Sequence, residues 1–439
     1  MYVTGRLSLA LALGVIPVIV LSATGISAWW VAAVWVLMCL LLVAADVALA
    51  APAGVITVAR DLPSRALRDT TVEVSLLLHN PGRRRLRGLV RDAWQPTAGA
   101  HPSRVAIDLP GGERRRAAMT LQPRRRGEIR SDFIVVRSRG PWGVAGRQAR
   151  IDAPAALRVL PAFTSRRHLP SRLARLRELD GNTSIQVRGQ GTEFDSLREY
   201  VLGDDVRSID WRATARAGTT MLRTWRPERD RHVVIVVDTG RTSAARVGDG
   251  IRLDAAMESA LLLAALAARA GDHVHLVMFD RVVRARVTGY DGSALLPALV
   301  DAMAPVNAQL IDTDWEAALA QVGTFTTRPS LVVVLTAQDA VDSARAFLAA
   351  VPGLTRRTRL LVGTASDDAA PAAADALKPR VRDADDLYRE AARERATRDS
   401  EQVGEAVRRA GGEAITATAE DLPPKIADRY LALKAAGRL

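Results

Sequence analysis

The sequence has a single cysteine, Cys39, in 439 residues. One cysteine excludes a disulfide framework and a cysteine-based metal site within one chain. The sequence also lacks the phosphate-loop motif GxxxxGK[ST], the zinc-protease motif HExxH and the nucleophile elbow GxSxG. Its six histidines lie outside recognisable metal or nucleophile motifs, and His273 and His275, which share one face of a predicted strand, are interpreted as packing residues. We therefore expect that the chain is not an enzyme.

Lysine and aromatic residues are also scarce, with three lysines and 4% Phe, Trp and Tyr. Nearly all of the positive charge is therefore arginine, and the net charge of +13 is unevenly distributed. Residues 60–160 contain 21 arginines against nine acidic residues, whereas residues 232–439 contain 25 basic and 28 acidic ones. The basic character thus belongs to the segment that follows the hydrophobic N-terminus.

Two long apolar runs occupy that N-terminus. Residues 7–26 carry no charge, and residues 29–50 carry only Asp46. Each run is long enough to cross about 30 Å of hydrocarbon as a helix. A signal peptide is the competing interpretation of the first run, but the second run follows at once without a cleavage-like spacer. We predict a transmembrane helical hairpin within residues 1–54.

The charges that flank this hairpin predict its orientation. Arg6 precedes the first span, and Arg60, Arg65 and Arg68 follow the second. The positive-inside rule then predicts a multi-pass membrane protein whose N-terminus and soluble domains are cytoplasmic. Asp46 lies about one turn from the end of its span, where it either reaches the interface or serves as a functional intramembrane acid.

Residues 55–160 are predicted to form a small all-β sandwich. Alternating polar and apolar residues predict strands at 71–77, 104–109, 117–121 and 133–137, separated by glycine- and proline-containing turns. Three arginine triplets lie near strand ends or in loops: Arg83–Arg85, Arg114–Arg116 and Arg124–Arg126. They are either solvated loop charges or a basic face toward anionic lipid. Nucleic acid is not expected as a partner, since no aromatic residues interleave with the triplets.

Residues 161–231 are predicted to be a connector, with a basic amphipathic helix at 165–179 and a loop-like stretch at 181–191. Residues 232–439 alternate continuous apolar runs with helical patterns. This alternation predicts an α/β domain with a mostly parallel sheet covered on both faces. The predicted strands are 232–238, 273–279, 282–287, 331–336, 358–363 and 413–417. The predicted helices are 251–270, 293–303, 314–322, 340–350, 384–410 and 423–435.

A candidate metal motif follows the first strand of this domain. Asp238 ends the strand and Thr242 follows in the next turn, while Thr313 precedes a later helix. This order resembles the von Willebrand factor A domain, whose Asp-x-Ser-x-Ser loop, with a distant Thr and Asp, holds a divalent cation. Gly240 replaces the first hydroxyl residue and Ala337 the last acid.

These departures leave two interpretations of the motif. No cofactor is firmly implied, and Mg²⁺ is the ion that the resemblance suggests for Asp238, Thr242 and Thr313. Asp339 could replace the missing acid only if its loop bends differently. Alternatively, Asp238 caps the following turn and Thr242 is a helix-entry hydroxyl.

The segment 191–216 is dense in acids, arginines and aromatics. Phe194, Leu197 and Val201 have helical spacing, and Gly203 could end such a helix. Asp204 and Asp205 then suit the start of a second, short helix. Arginines in this segment can pair with its carboxylates, and Phe194 and Trp211 are predicted apolar anchors. The residues that we single out are Phe194, Asp195, Arg198, Glu199, Tyr200, Gly203, Asp204, Asp205, Arg207, Asp210, Trp211 and Arg216.

This segment resembles the signature of the "domain of unknown function 58" family. These are bacterial membrane proteins often encoded beside MoxR-type AAA+ ATPases, with two membrane helices, a β module, this signature and a von Willebrand A-like domain. The resemblance implies a MoxR-type ATPase and other membrane or envelope proteins as partners. It leaves open whether the signature joins two domains or is an exposed docking surface.

The function that we expect is a non-enzymatic, membrane-anchored scaffold or adaptor for protein–protein interaction. The resemblance implies that it works with a MoxR-type AAA+ ATPase in envelope maintenance or protein maturation. The alternative is a divalent-metal-dependent ligand sensor or enzyme centred on Asp238.

Overall fold

The computed structural model describes residues 1–183, 193–201, 205–226, 231–248, 250–366 and 384–439. The chain divides into two compact units, Met1–Pro161 and Ala162–Leu439.

The first unit begins with a short strand, β1 (Tyr2–Val3), and three helices: α1 (Gly5–Leu13), α2 (Val15–Ser22) and α3 (Ala28–Leu49). Two helical segments, Gly5–Ser22 and Ala28–Val55, are long and apolar enough to cross a membrane. They pack against each other, since the indole Nε1 of Trp35 donates a hydrogen bond to the Ala10 carbonyl at 3.1 Å. A Cβ on Gly14 would lie 2.2 Å from the Trp35 ring, so glycine permits this close approach. The predicted pair of apolar helices is therefore present.

The rest of the first unit is an antiparallel β module of two sheets. One sheet has the order β1-β9-β8-β5-β6, with β3 beside β9, and the other has the order β2-β4-β7. Alternate residues of both sheets fill one shared apolar core, which is the sandwich arrangement. The strands are β2 (Thr57–Asp61), β3 (Arg65–Leu67), β4 (Val72–His79), β5 (Leu86–Trp94), β6 (Val105–Leu109), β7 (Arg114–Leu121), β8 (Gly127–Arg139) and β9 (Ala145–Leu160).

Asp46 fastens α3 to this β module. Its side chain is fully buried, and its two carboxylate oxygens accept hydrogen bonds from the backbone N–H groups of Trp142, Val144 and Ala145 at 2.7–3.0 Å. The turn approaches so closely that a Cβ on Gly140 would lie 2.0 Å from the carboxylate. The Asp46 side chain is therefore enclosed by the protein and does not reach solvent. It is a structural acid that holds the turn before β9 against the end of the helix.

The start of the helical hairpin is attached to the same turn. Strand β1 pairs with the first residues of β9, and the Thr4 hydroxyl donates to the Gly143 carbonyl at 2.7 Å. Arg6 donates to the Trp142 carbonyl at 3.0 Å. Both ends of the hairpin are thus fixed to the turn Gly140–Gly143.

The second unit begins with elements that we expected to form a connector. They are α4 (Leu169–Thr183), a hairpin of β10 (Glu193–Glu199) and β11 (Met221–Arg226), and α5 (Trp211–Ala217). Helix α4 buries Leu176 in the core of the α/β domain, and Arg172 forms an ion pair with Asp428 at 2.6 Å. The amphipathic face of α4 thus makes it part of that domain. Most of the loop predicted at 181–191 lies outside the described residues.

A six-stranded sheet forms the centre of the second unit, in the order β16-β15-β12-β17-β18-β19. All neighbouring strands are parallel except β16, which is antiparallel to β15. Their continuous apolar runs are buried because helices cover both faces. The strands of this sheet are β12 (His232–Asp238), β15 (His273–Phe279), β16 (Val283–Val287), β17 (Leu331–Leu335), β18 (Arg359–Ala365) and β19 (Glu413–Ala417). Two short strands, β13 (Arg246–Val247) and β14 (Gly250–Ile251), form a separate antiparallel pair.

Helices occupy both faces of this sheet. Residues of α6, α7 and α11 share a core with one face, and residues of α8 and α9 share a core with the other. The helices of the sheet domain are α6 (Arg252–Arg269), α7 (Leu295–Met303), α8 (Trp315–Ala320), α9 (Arg345–Thr355), α10 (Ala384–Arg409) and α11 (Leu422–Ala435). The mixed, mostly parallel α/β sheet that the sequence predicts is present.

The attachment of α3 can be tested by substitution of Asp46. Asp46→Ala leaves three buried N–H groups without their acceptor, and each such group costs about 1–3 kcal/mol. We expect Asp46→Ala to destabilise the first unit by about 3 kcal/mol or more. Hydrogen exchange of the solubilised full-length protein should show faster exchange at Val144 and Ala145. Asp152→Ala, at an exposed acid of β9, is the control, and equal protection in the two variants would refute the attachment.

Candidate functional site

The candidate site lies at the carboxyl ends of the central parallel strands. Asp238 is the last residue of β12, whose neighbours β15 and β17 carry the chain in opposite directions across the sheet. Ligands of open α/β sheets bind at this kind of switch point. Thr336, which follows β17, and Asp280, which follows β15, come to the same edge.

Four donors hold the Asp238 carboxylate, which is 1% exposed. The Gly240 N–H donates to it at 2.8 Å, and three threonine hydroxyls donate from different loops. These are Thr242 at 3.2 Å, Thr313 at 2.5 Å and Thr336 at 2.7 Å. The structure therefore brings together the three residues that the sequence suggested as metal ligands and adds Thr336.

All four donors are neutral. Burial raises the pKa of Asp238, and hydrogen bonds from Thr313 and Thr336 lower it only in part. The donors satisfy the carboxylate oxygens without neutralising their charge. Such a carboxyl group can either keep its proton or attract a cation, because each removes the free-energy cost of burying an uncompensated negative charge.

The two departures from the metal motif have structural consequences. Gly240 packs so closely that a Cβ there would lie 2.3 Å from the Thr313 hydroxyl oxygen. Ala337 is buried, and Asp339 forms an ion pair with Arg252 at 2.7 Å instead. Thr313 thus occupies the space that a serine at position 240 would need.

Asp280 is a second buried carboxylate at this edge, and the sequence analysis missed it. Thr239 donates to it at 2.9 Å and Arg284 at 2.7 Å. Burial pushes the pKa of Asp280 upward, but hydrogen bonds from the Arg284 guanidinium and the Arg281 N–H outweigh burial, so its pKa lies below the usual range. Its sequence signal is the one that identified Asp238, an acid directly after a continuous apolar strand.

Three histidines form a cluster at the opposite, amino-terminal edge of the sheet. His275 lies 2.9 Å from His232 and 2.8 Å from the Thr288 hydroxyl, and His232 also stacks on His273. Burial, together with the positive charge that the neighbouring His232 and His273 can carry, lowers the pKa of His275 to about 4. Among the described residues, no group of three or more His, Cys, Asp or Glu side chains could hold a metal ion.

The signature segment forms a strand where we predicted a helix. Residues 193–199 are β10, which pairs antiparallel with β11. Leu197 and Val201 are exposed at 40% and 62%, so the apolar spacing does not mark a buried helical face. The prediction was wrong because the segment pairs with a strand more than 20 residues later, which local spacing does not reveal.

Acidic caps organise the region between the two strands of this hairpin. Asp205 accepts a hydrogen bond from the Arg207 N–H and begins a single 3₁₀ turn. Asp210 caps α5 through the N–H groups of Arg212 and Ala213, and it pairs with Arg223 at 2.7 Å. The predicted pairing of Asp210 with an arginine is thus present. Its partner is Arg223 of β11, which lies outside the segment 191–216.

The remaining signature residues are distributed over the hairpin and its surroundings. Trp211 is 70% exposed, so the prediction that it is a buried anchor was wrong. Arg198 donates to the Glu199 carbonyl, the Tyr200 N–H donates to the Thr220 carbonyl, and Arg216 lies in the last turn of α5. The backbones of Phe194 and Asp195 lie in β10. Gly203 and Asp204 lie outside the described residues.

Residues 196–362 match the family model described as "Protein of unknown function DUF58". The chain contains a DUF58 domain. The match begins within β10 and ends within β18, so it includes most of the signature hairpin and the Asp238 centre. No curated protein matches the chain.

Two solved structures are weakly similar to about a quarter of the chain. The CARDB domain of the PF1109 protein from Pyrococcus furiosus, solved in complex with di-metal ions, is 14% identical over 24% of this chain and 86% of its own, with a TM-score of 0.17. A β-glucosidase from Listeria innocua is 12% identical over 24% of this chain and only 16% of its own, with the same TM-score. Likenesses this weak carry no conclusion about fold or function.

The close packing at Gly240 of the DUF58 domain predicts a specific coupling. Gly240→Ser adds a hydroxyl group, but its Cβ collides with Thr313, so we expect a loss of about 1–3 kcal/mol in stability. In a Thr313→Ala background the loss should be smaller, because the colliding oxygen is absent. Urea unfolding of the solubilised protein, followed by hydrogen exchange in β12, measures the stability loss in the wild-type and the Thr313→Ala backgrounds. Gly323→Ser, where a Cβ meets open space, is the control, and equal losses in the two backgrounds would contradict the packing.

The low pKa of His275 predicts a pH dependence of stability. Its folded pKa of about 4 lies below the unfolded value of about 6.5, so the unfolded chain binds more protons between these values. The stability contribution is present above pH 6.5 and is lost as the pH falls toward 4. We expect the wild type to lose about 2 kcal/mol more than His275→Gln over this range, measured by urea unfolding. The control His168→Gln should lose as much stability over this pH range as the wild type. An equal loss in His275→Gln would contradict the prediction.

Proposed function

We propose that the chain is a non-enzymatic scaffold or adaptor anchored in the bacterial inner membrane. Its soluble parts would face the cytoplasm and bind a MoxR-type AAA+ ATPase and other envelope proteins during envelope maintenance or protein maturation. Support comes from the two apolar helices, from their attachment to the β module through Asp46, and from the DUF58 domain. The partner is suggested by the family resemblance alone.

The observation that carries the proposal is the exposure of the signature. Val201, Val206 and Trp211 are 62%, 61% and 70% exposed on or beside the β10–β11 hairpin and α5. A segment that serves only to join two domains should bury its largest apolar side chains, whereas a docking surface presents them to a partner. The signature therefore supports protein binding more than a purely internal role.

The fold of residues 232–439 supports a von Willebrand A-like domain. Numbered from β12, its six strands have the order 3-2-1-4-5-6, and the third strand is the antiparallel edge. Asp238, Thr242 and Thr313 converge at the switch point. This arrangement suits a domain that binds a partner at the carboxyl edge of the sheet.

A pull-down tests the scaffold proposal. The tagged full-length protein, solubilised from membranes, should recover a MoxR-type AAA+ ATPase. Trp211→Ala should lower the recovery about tenfold or more, as expected for loss of a central aromatic anchor. Tyr290→Ala, at an exposed aromatic of the same unit outside the signature, should not. Recovery of no ATPase, or equal losses in both variants, would refute the proposal.

The second candidate function is a metal-dependent sensor or enzyme centred on Asp238. The observation that favours it is the gathering of three threonine oxygens around one carboxylate of raised pKa. Against it, Mg²⁺ needs near-octahedral oxygen ligands at about 2.0–2.1 Å, whereas this carboxylate already accepts four protein donors. We therefore infer that the centre does not fit a resident Mg²⁺ ion.

Calorimetry distinguishes the two candidates. We expect titration of the solubilised protein with millimolar Mg²⁺ or Mn²⁺ to release no heat beyond that of Asp238→Ala. Saturable binding by the wild type that is lost in Asp238→Ala would favour the metal-dependent function instead.

A further inference from the structure

The end of the β module at α3 is unusually rich in arginine. Arg84 donates to the Ala48 carbonyl at 2.9 Å, and Arg147 donates to the Val47 carbonyl at 2.9 Å. These contacts place both arginines beside the last turn of the helix. They fix which end of the β module lies next to the membrane if the helix spans it.

Strand direction places two of the three arginine triplets at this end. His79, at the end of β4, pairs with Thr57 at the start of β2, shortly after α3, and with Arg114 at the start of β7. Arg83–Arg85 follow β4 directly, so they lie at the same end. The third triplet, Arg124–Arg126, follows Leu121, which pairs with Val72 at the other end of β4, about 24 Å away for seven residues of strand.

Two further arginines flank the turn that holds Asp46. Gly143 has a φ of +67°, and a Cβ on it would lie 2.9 Å from Nη1 of Arg6 and 3.0 Å from Cδ of Arg139. The two side chains therefore pack against one turn from opposite parts of the chain. Two cationic groups brought to one place repel each other unless an anion lies between them.

Carboxylates do not supply that anion. In the described part of the chain, no carboxylate oxygen lies within 4.0 Å of the guanidinium nitrogens of Arg6, Arg84, Arg139 or Arg147, and the acceptors of three of them are backbone carbonyls. The nearby Asp46 carboxylate is buried and already accepts three N–H groups. The triplet residues Arg85, Arg115 and Arg116 pair with Asp108, Glu113 and Asp61. The four arginines at the end of α3 and the Gly140–Gly143 turn thus keep positive charge that these carboxylates do not neutralise.

Trp142 completes the arrangement. It lies in the same turn, its N–H donates to Asp46, and its side chain is 48% exposed. Exposed tryptophans are typical of the membrane–water interface, where the ring is partly apolar and partly hydrated. At the opposite end of α3, Trp29 and Trp30 are also exposed. If α3 spans the membrane, this position is the one expected for a tryptophan at the level of the lipid head groups on the β-module side.

We propose that Arg6 and Arg139, beside Trp142, bind the phosphate of an anionic phospholipid. Guanidinium groups are suited to phosphate because they donate two parallel hydrogen bonds. Arg84 and Arg147 extend the same positive surface along the end of α3. The inference rests on the proposed membrane anchoring and adds a lipid ligand to it.

Native mass spectrometry of the full-length protein in neutral detergent tests the site. Phosphatidylglycerol should remain bound, whereas phosphatidylcholine should not. The double variant Arg6→Gln/Arg139→Gln should bind phosphatidylglycerol about tenfold more weakly, from two lost phosphate contacts. The control Arg124→Gln/Arg125→Gln, at the far end of the β module, should bind like the wild type. Equal binding by both double variants would overturn the proposal.

Two further measurements separate the possible failures. Arg6→Lys/Arg139→Lys should retain most phosphatidylglycerol, which shows that a weak Gln variant has lost charge rather than its fold. Displacement of the lipid by millimolar inorganic phosphate would overturn the lipid assignment in favour of a free-anion site. Alkaline extraction of membranes tests the anchor itself. Release of the protein by alkali refutes the proposed anchoring, whereas retention with equal lipid binding refutes only the lipid site.

Discussion

The burial of carboxylates that accept several local donors is the constraint on which both units depend. In the first unit, Asp46 accepts three N–H groups of one turn and thereby attaches α3 to β9. Asp92 serves the sandwich in the same way, with donors from Arg60, Trp94 and Ser131. A buried acid without such donors would be strongly unfavourable, so each acid dictates the geometry of the segments around it. The N-terminal hairpin and the β module are one unit for this reason.

The second unit uses the same device at three places, with different counter-groups. Asp272 pairs with Lys434 at 2.9 Å and also accepts a hydrogen bond from Tyr430, which fixes α11 to the turn before β15. Asp280 is paired with Arg284. Of these three acids, Asp238 alone has only neutral donors, so its burial is the least compensated of the three. That imbalance, and not the family motif alone, identifies the Asp238 centre as a place of functional interest.

Sequence patterns predicted the sheet domain well because its strands are buried on both faces. Continuous apolar runs such as 232–238 and 331–335 have few alternatives. In the β module, β9 was missed because arginines and alanines interrupt its alternation. The helix predicted at 194–201 failed because that segment pairs with residues 221–226. Local spacing contains no information about such distant partners, and the same limit hid Thr336 and Arg223.

The erosion of the metal motif has a coherent physical explanation. Gly240 has no side chain, and the Thr313 hydroxyl lies in the space that one would need, while Thr336 supplies a fourth donor beside Ala337. The hydroxyl groups around Asp238 thus donate to the carboxylate itself. Such a centre stabilises the loops at the carboxyl edge without an ion, because the three threonines come from three different loops. The DUF58 domain thereby combines a fixed carboxyl edge of its sheet with an exposed signature hairpin.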